Sequence, residues 1–203
     1  MKFQCLRAAA ILLALLLLLL LGGCRRTKPP ALEEIYDTAV ELIERSYAVN
    51  DLVFGHGLPV WETDSAYAEL KHIYTKKPVY ENVTKYASVV TVSQIKNIMA
   101  QVYSEDYLES LFATMFDGYA YEEGVMVAQI KEDALGLYQS RTYEPLVTNQ
   151  RIYDYATMRV VNGDEQTAVI LIDTHLEHEQ TTLQVELVLV KENGEWRLDT
   201  PTY

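Results

Sequence analysis

Residues 152–199 read IYDYATMRVVNGDEQTAVILIDTHLEHEQTTLQVELVLVKENGEWRLD, and the fold is decided there. The runs Ile152–Val161, Thr167–Glu177 and Thr182–Glu192 are rich in β-branched residues and each is long enough for a strand. Glu195–Asp199 adds a fourth. Asn162-Gly163-Asp164 and Asn193-Gly194 separate the runs, and Asn and Gly readily take the positive φ that tight hairpin turns require. His178–Thr181 makes the remaining connection. Four strands joined by short turns predict an antiparallel meander. Alternation assigns its faces: Leu183, Val185, Leu187 and Leu189 stand opposite Gln184 and Glu186, and Ala168, Ile170 and Ile172 repeat the pattern next door. Val169 and Leu171 put some apolar surface on the second face as well.

Upstream, the period changes from two to 3.6. Leu32, Ile35, Tyr36, Ala39, Leu42, Ile43 and Tyr47 recur at helical spacing, with Pro30 before them, Glu33 and Glu34 in the first turn and Gly55 as a stop. One long amphipathic helix is expected from Ala31 to about Phe54, with a break near Asn50 as an alternative. A short helix over 66–75 and a strand near Lys85–Val90 follow. Ser93 then reads as the cap of a helix with the apolar face Ile95, Ile98, Met99 and Val102. Ser104 caps another, with Glu105 and Asp106 where the helix dipole favours negative charge, and Gly118 ends it. Its stripe is Leu108, Leu111, Phe112, Met115 and Phe116. Val125–Ile130 and Leu135–Gln139 read as short strands. Helices first and an antiparallel sheet last define an α+β domain over 32–203, its long helix and short helices packed on a curved antiparallel sheet.

The N-terminus carries a different kind of signal. Lys2 and Arg7 precede an apolar run, Ala8–Leu21, and two small residues, Gly22 and Gly23, come before Cys24. This is the order of a secretory leader. The run falls short of the roughly 20 residues that cross a bilayer as a helix, so cleavage is favoured over a retained anchor. Leu21-Gly22-Gly23-Cys24 resembles the lipobox of bacterial lipoproteins. That resemblance implies removal of residues 1–23, a diacylglycerol on the Cys24 sulfur, and a tether over 24–31. Two acyl chains make a durable anchor, and Arg25, Arg26 and Lys28 add attraction to anionic headgroups. The expected location is extracytoplasmic, on the membrane surface of a bacterial cell.

The sequence has two cysteines, and Cys5 lies in the leader, so an acylated Cys24 leaves the domain without thiol or disulfide chemistry. The formal charge is −12 and becomes −14 once Lys2 and Arg7 are removed. Such a balance argues against nucleic acid and fits either simple solubility or a basic partner.

The order of long helix, helix pair and terminal meander ending in Glu195-Trp196-Arg197-Leu198-Asp199 resembles the cystatin-like and NTF2-like α+β cone. Val102-Tyr103-Ser104-Glu105-Asp106-Tyr107-Leu108 after a long first helix is also similar to the IseA-like family of bacterial cell-wall DL-endopeptidase inhibitors. That second resemblance implies a protein that occludes a peptidoglycan hydrolase without performing hydrolysis itself.

No catalytic set, metal site or cofactor fingerprint is expected from the residues. Asp173 and His175 are two apart on a strand and share a face, the spacing of an acid–base dyad and equally of an exposed polar pair. His175, Glu177, His178 and Glu179 lack the i,i+4 spacing of the helical zinc motif. Asn82-Val83-Thr84 matches a glycosylation sequon, a coincidence in a chain with a bacterial lipobox. The nine glycines are scattered among turns, with no phosphate cradle. The compositional excess is tyrosine, 15 against four phenylalanines, with Tyr119, Tyr121, Tyr138, Tyr143, Tyr153 and Tyr155 clustered between positions 119 and 155. Tyrosine presents a flat apolar face and a polar tip, so Tyr153 and Tyr155 on one strand face suggest either cover for the sheet or a recognition surface. The expectation is therefore a non-enzymatic, lipid-anchored binding protein whose partner is a cell-wall hydrolase, wall material or another surface protein. The competing expectation is a small-molecule-binding or enzymatic NTF2-like domain with Asp173 and His175 lining a cone-shaped pocket.

Overall fold

The computed structural model describes residues 28–55, 57–58, 80–82, 89–120, 126–134, 136–140 and 150–203. Residues 1–27, with the expected leader and Cys24, the helix expected over 66–75, His56, His72, Tyr121 and Tyr143 lie outside them. The described chain is a mixture of helices and antiparallel sheets.

Helix α1 runs from Leu32 to Phe54 without the break considered near Asn50. Its first turn holds Glu33 and Glu34, and the Glu34 amide donates to Ala31 O. The residues that turn inward are Ile35, Ala39, Leu42, Ile43, Ser46, Val49, Asn50, Val53 and Phe54, a stripe that includes two polar members. Gly55 closes the helix by donating to the carbonyls of Asn50 and Asp51, and a Cβ on it would meet Asp51 at 2.6 Å.

Strand β1 (Tyr80–Asn82) pairs with β5; the strand expected near Lys85–Val90 lies outside the described residues except for Val89 and Val90, which are in no strand. Helix α2 (Val92–Ala100) is capped by Thr91. The Thr91 hydroxyl accepts from the Gln94 amide, and the Gln94 side chain accepts from the amides of Val90 and Thr91. Ser93, the cap expected from sequence, is already inside the helix. Threonine with glutamine three residues on satisfies two orphan amides reciprocally, an advantage that Ser93 followed by Lys96 lacks. Ile95 and Met99 are buried, whereas Ile98 is turned out.

Helix α3 (Glu105–Phe112) starts as read: Ser104 caps it, accepting from the Tyr107 amide. It continues through a π-helical turn, Ala113–Asp117, to Gly118 at φ +99°. Leu108 and Met115 are buried; Leu111, Phe112 and Phe116 pack half-buried against the core. Lys96 of α2 lies 4.8–5.0 Å from the rings of Phe112 and Phe116, covering them with its stem and charge.

Among the described residues the strands fall into three antiparallel sheets where one was expected. Strands β2 (Tyr119–Ala120) and β3 (Met126–Val127) form a two-stranded ladder. Strands β4 (Ile130–Asp133) and β5 (Gly136–Ser140) form a hairpin that β1 extends. The run expected as one strand over Val125–Ile130 is thus divided between two sheets. The meander appears as read, in the order β6 (Arg151–Gly163), β7 (Thr167–Leu176), β8 (Leu183–Glu192), β9 (Glu195–Leu198). Asn193 (φ +53°) and Gly194 (φ +88°) make the tight β8–β9 turn. The β6–β7 reversal differs in detail. Gly163 still pairs with Ala168, and the chain turns over Asp164–Gln166, where the Asp164 carboxylate accepts from the amides of Gln166 and Thr167. Asx chemistry makes this turn, so Asn162 needs no positive φ.

Ala168, Ile170, Ile172, Leu187, Leu189 and Leu198 are at most 1% exposed and join the α1 stripe in one contiguous core, which also takes in Ile130 and Leu137 of the smaller sheet. Leu183 departs from the alternation reading, standing 54% exposed at the sheet's end. Helix α1 touches both outer strands of the meander, β6 and β9.

Candidate functional site

A polar cluster sits inside this apolar frame. It is built from four places in the chain. Ser46 and Asn50 are one helical turn apart on the buried stripe of α1. Tyr103 belongs to the α2–α3 connection, which is laid parallel against β9: the Leu198 amide donates to Val102 O (2.9 Å) and the Ser104 amide to Leu198 O (2.8 Å). Tyr153 comes from the start of β6, opposite Thr174. The fourth contributor is Thr202, which lies beyond the last strand and is 1% exposed.

Their hydrogen bonds converge on Thr202. Its hydroxyl donates to Ser46 Oγ (2.6 Å) and accepts from Asn50 Nδ2 (2.9 Å). The Ser46 hydroxyl in turn donates to Ile43 O (2.6 Å). The Tyr103 hydroxyl donates to Asn50 Oδ1 (2.7 Å) and lies 2.9 Å from the Thr202 hydroxyl. The Tyr153 hydroxyl donates to the Thr202 carbonyl (3.1 Å). Burial pushes the Tyr103 phenol up to about 12, with the bonds to Thr202, Ser46 and Asn50 opposing it in part. Tyr153 is raised too, by burial first. Next to the cluster, Tyr107 stacks on Tyr103 (centroids 4.8 Å apart), and Tyr203 stacks on Phe54 (4.3 Å). The Tyr107 hydroxyl is buried with no hydrogen-bond partner among the described residues. Burial raises its pKa first, and Tyr203 raises it further.

Tyr153 and Tyr155 do share a face, but it is the face toward α1. Tyr153 is 5% exposed, and Tyr155 is half-buried with its hydroxyl donating to Glu44 Oε1 (2.5 Å). Burial and the Glu44 carboxylate hold the Tyr155 phenol protonated, and its hydrogen bond with Tyr47 acts the same way. The pair, read from sequence as either cover for the sheet or a recognition surface, is therefore spent mainly inside the molecule.

Asp173 and His175 lie on the opposite, outer face of β7, since Ile172 and Thr174 between and beside them are buried toward α1. Asp173 Oδ1 accepts from Gln184 Nε2 (2.8 Å), and Gln184 Oε1 accepts from Arg159 (3.0 Å), a polar ladder across three strands. His175 stands opposite Ile152. The pair does not line the inner face, as the pocket reading required. His178 is in a turn at φ +70° with its side chain 84% exposed, 3.9 Å from Glu177. Among the described residues no group of three His, Cys, Asp or Glu could hold a metal ion.

One open groove of about 730 Å³ runs along α3 and the β8–β9 hairpin, lined by Glu105, Asp106, Glu109, Glu192, Glu195 and Arg197 among others. Arg197 is tied down in it by bonds to Ala100 O and Glu195. Glu192 accepts from the Glu105 amide, so one carboxylate is used to finish the start of α3.

Sequence reading missed Ser46, Asn50 and Thr202 as members of a cluster. The available signal was that Ser46 and Asn50 interrupt the apolar stripe of α1 four residues apart. No family model matches the chain, and no curated protein matches it.

Proposed function

We propose that the chain is a lipid-anchored, non-enzymatic binding protein on the extracytoplasmic side of a bacterial membrane. Residues 1–23 are its leader, Cys24 carries the lipid, and residues 24–31 are the tether. The observation that carries this reading is Leu21-Gly22-Gly23-Cys24 placed a few residues ahead of the first helix, with a basic, proline-containing segment between. The tether enters the domain at a defined end: Lys28, Pro29 and Pro30 lie beside Glu165, Gln166, Lys191 and Trp196. The opposite end of α1, with Asn50 and Phe54, is then held about 30 Å farther from the lipid, given a 1.5 Å rise per residue.

The fold of this binding domain is read as an NTF2-like or cystatin-like cone. Contact of α1 with both β6 and β9 supports that reading, because a helix reaches both edges of a sheet that curls around it. The partner is a cell-wall hydrolase or wall component, in keeping with the similarity to IseA-like inhibitors and with the acidic groove along α3. The small-molecule alternative has to use groups inside the cone, since Asp173 and His175 lie on the outer face.

Expression in a bacterium fed an alkyne fatty acid tests the anchor. The parent chain should take up the label and fractionate with membranes, and Cys24→Ser should lose both properties while its thermal melt is unchanged. A labelled Cys24→Ser chain would remove the basis for the proposal.

A further inference from the structure

The groove between α3 and the β8–β9 hairpin has an apolar floor and carboxylates along both sides. Ala100, Leu108 and Phe112 form the floor. Glu105, Asp106 and Glu109 of α3 stand on one wall, and Glu192 and Glu195 of the hairpin on the other. The walls meet where Glu192 Oε1 accepts from the Glu105 amide (2.9 Å). Part of this charge serves the fold, because the N-terminal end of α3 favours the carboxylates of its first turn, Glu105 and Asp106. That effect fades within one turn, so it accounts neither for Glu109 nor for Glu195 across the groove.

Within each wall the carboxylates break the local pairing rules. Glu105 and Glu109 are four apart on one helix, the spacing at which opposite charges stabilise and like charges repel. Glu192 and Glu195 are directly opposed in the β8–β9 ladder, where like charges again destabilise. Arg197 is the one base among the described residues lining the groove, and it is committed to Glu195 Oε2, Ala100 O and Trp196 O. Lys96 is turned to the rings of Phe112 and Phe116. The carboxylates of Glu105, Asp106 and Glu109 have no ion-pair partner among the described residues. Two like-charge pairs over an apolar floor are a local conflict that the fold leaves unrelieved, and such conflicts mark surfaces used for something besides stability.

We infer that the groove binds a basic segment of another protein, with an apolar side chain seated on Leu108 and Phe112 and a lysine or arginine to each side against the walls. Charge complementarity selects this occupant. A cation between the walls relieves both repulsions, and an apolar side chain on the floor excludes water, which strengthens the attraction. Anionic ligands, membrane headgroups included, are repelled by the same walls. The volume of about 730 Å³ is room for a few side chains. This rests on the proposed role as a binding protein and gives its partner a chemistry. Peptide binding and lipid labelling are read separately, so either can fail alone.

The full chain in detergent is titrated into a short fluorescent peptide with one leucine between pairs of lysines, and anisotropy is read. Binding should be saturable and should weaken about tenfold or more between about 0.05 M and 0.5 M salt. Glycine in place of the leucine should weaken it about tenfold, and glutamates in place of the lysines should abolish it. Glu105→Gln with Glu109→Gln should weaken binding about tenfold. Glu179→Gln with Glu186→Gln removes the same charge from exposed positions outside the groove and should change it less than about twofold. Glu109→Lys should lose binding and yet melt no lower than the parent, because it gives Glu105 an opposite charge four residues on. The proposal is overturned by a lack of saturable binding, by equal binding of the leucine and glycine peptides, or by equal losses in the two double variants. Binding that appears only after Arg25→Gln with Arg26→Gln also overturns it, since the groove would then belong to the chain's own basic segment.

Discussion

At the scale of single residues, the chemistry of this protein is that of tyrosine. The Tyr103 phenol, ordinarily at 10.0, is pushed up to about 12 by burial, so the folded chain holds that proton more tightly than the unfolded one. Its contribution to stability is whole below pH 10 and is lost as pH climbs from 10 towards 12, where the unfolded chain releases a proton that the folded chain keeps. Tyr107, Tyr153 and Tyr155 shift in the same direction. Urea titrations across that window should show unfolding free energy falling with pH, and Tyr103→Phe should make the fall shallower. At neutral pH the same variant should cost about 1–3 kcal/mol, because it strands the buried Asn50 Oδ1. Equal slopes for parent and variant would disconnect the alkaline loss from Tyr103. None of this was visible in the tyrosine count alone. An excess of tyrosine fits an outer surface as well as an inner one, and only the packing of β6 on α1 turned Tyr153 inward.

At the scale of elements, local rules were strong where two residues cooperate and weak where one was read alone. Ser104 with Glu105 and Asp106 marked the start of α3 correctly. Ser93 did not mark the start of α2, because Thr91 and Gln94 close a reciprocal box that begins two residues earlier. Thr91→Ala should therefore destabilise the protein by about 1 kcal/mol, and Ser93→Ala should stay within about 0.5 kcal/mol of the parent, both read from chemical denaturation. The opposite order would restore Ser93 as the cap. The meander was legible because period-two runs and turn residues agreed along the whole of 152–199. The smaller strands were not, because ladders of two to five residues owe their existence to partners elsewhere in the chain, such as β1 against β5.

At the scale of the whole molecule, the proposed anchor and the fold together set an orientation. The β6–β7 turn at Glu165 lies by the tether, and Glu177 lies at the far end of β7, about 30 Å away at 3.3 Å per residue. Fluorophores placed at cysteines substituted for Glu165 and for Glu177, both exposed, should differ sharply when the lipidated chain is bound to vesicles carrying a headgroup quencher. The probe at 165 should be quenched strongly and the probe at 177 weakly. Similar quenching at both positions would mean that the domain lies flat or is not held through residues 24–31.

The sequence by itself determined the α+β order, the reach of α1 and the four-strand meander, because these follow from apolar periodicity and turn chemistry within short windows. The proposed lipidation signal likewise rests on consecutive side chains, Leu21-Gly22-Gly23-Cys24. Tertiary structure alone decided which polar groups meet. Ser46, Asn50, Tyr103, Tyr153 and Thr202 span most of the domain's length, and no spacing rule links them. They come together because burying the stripe of α1 against the meander leaves one polar gap, and hydrogen bonds that would be worthless in water become worth making once the groups are dry. Tertiary structure also decided that Asp173 and His175 face outward, since a strand's alternation gives two faces and only the position of α1 says which is inside.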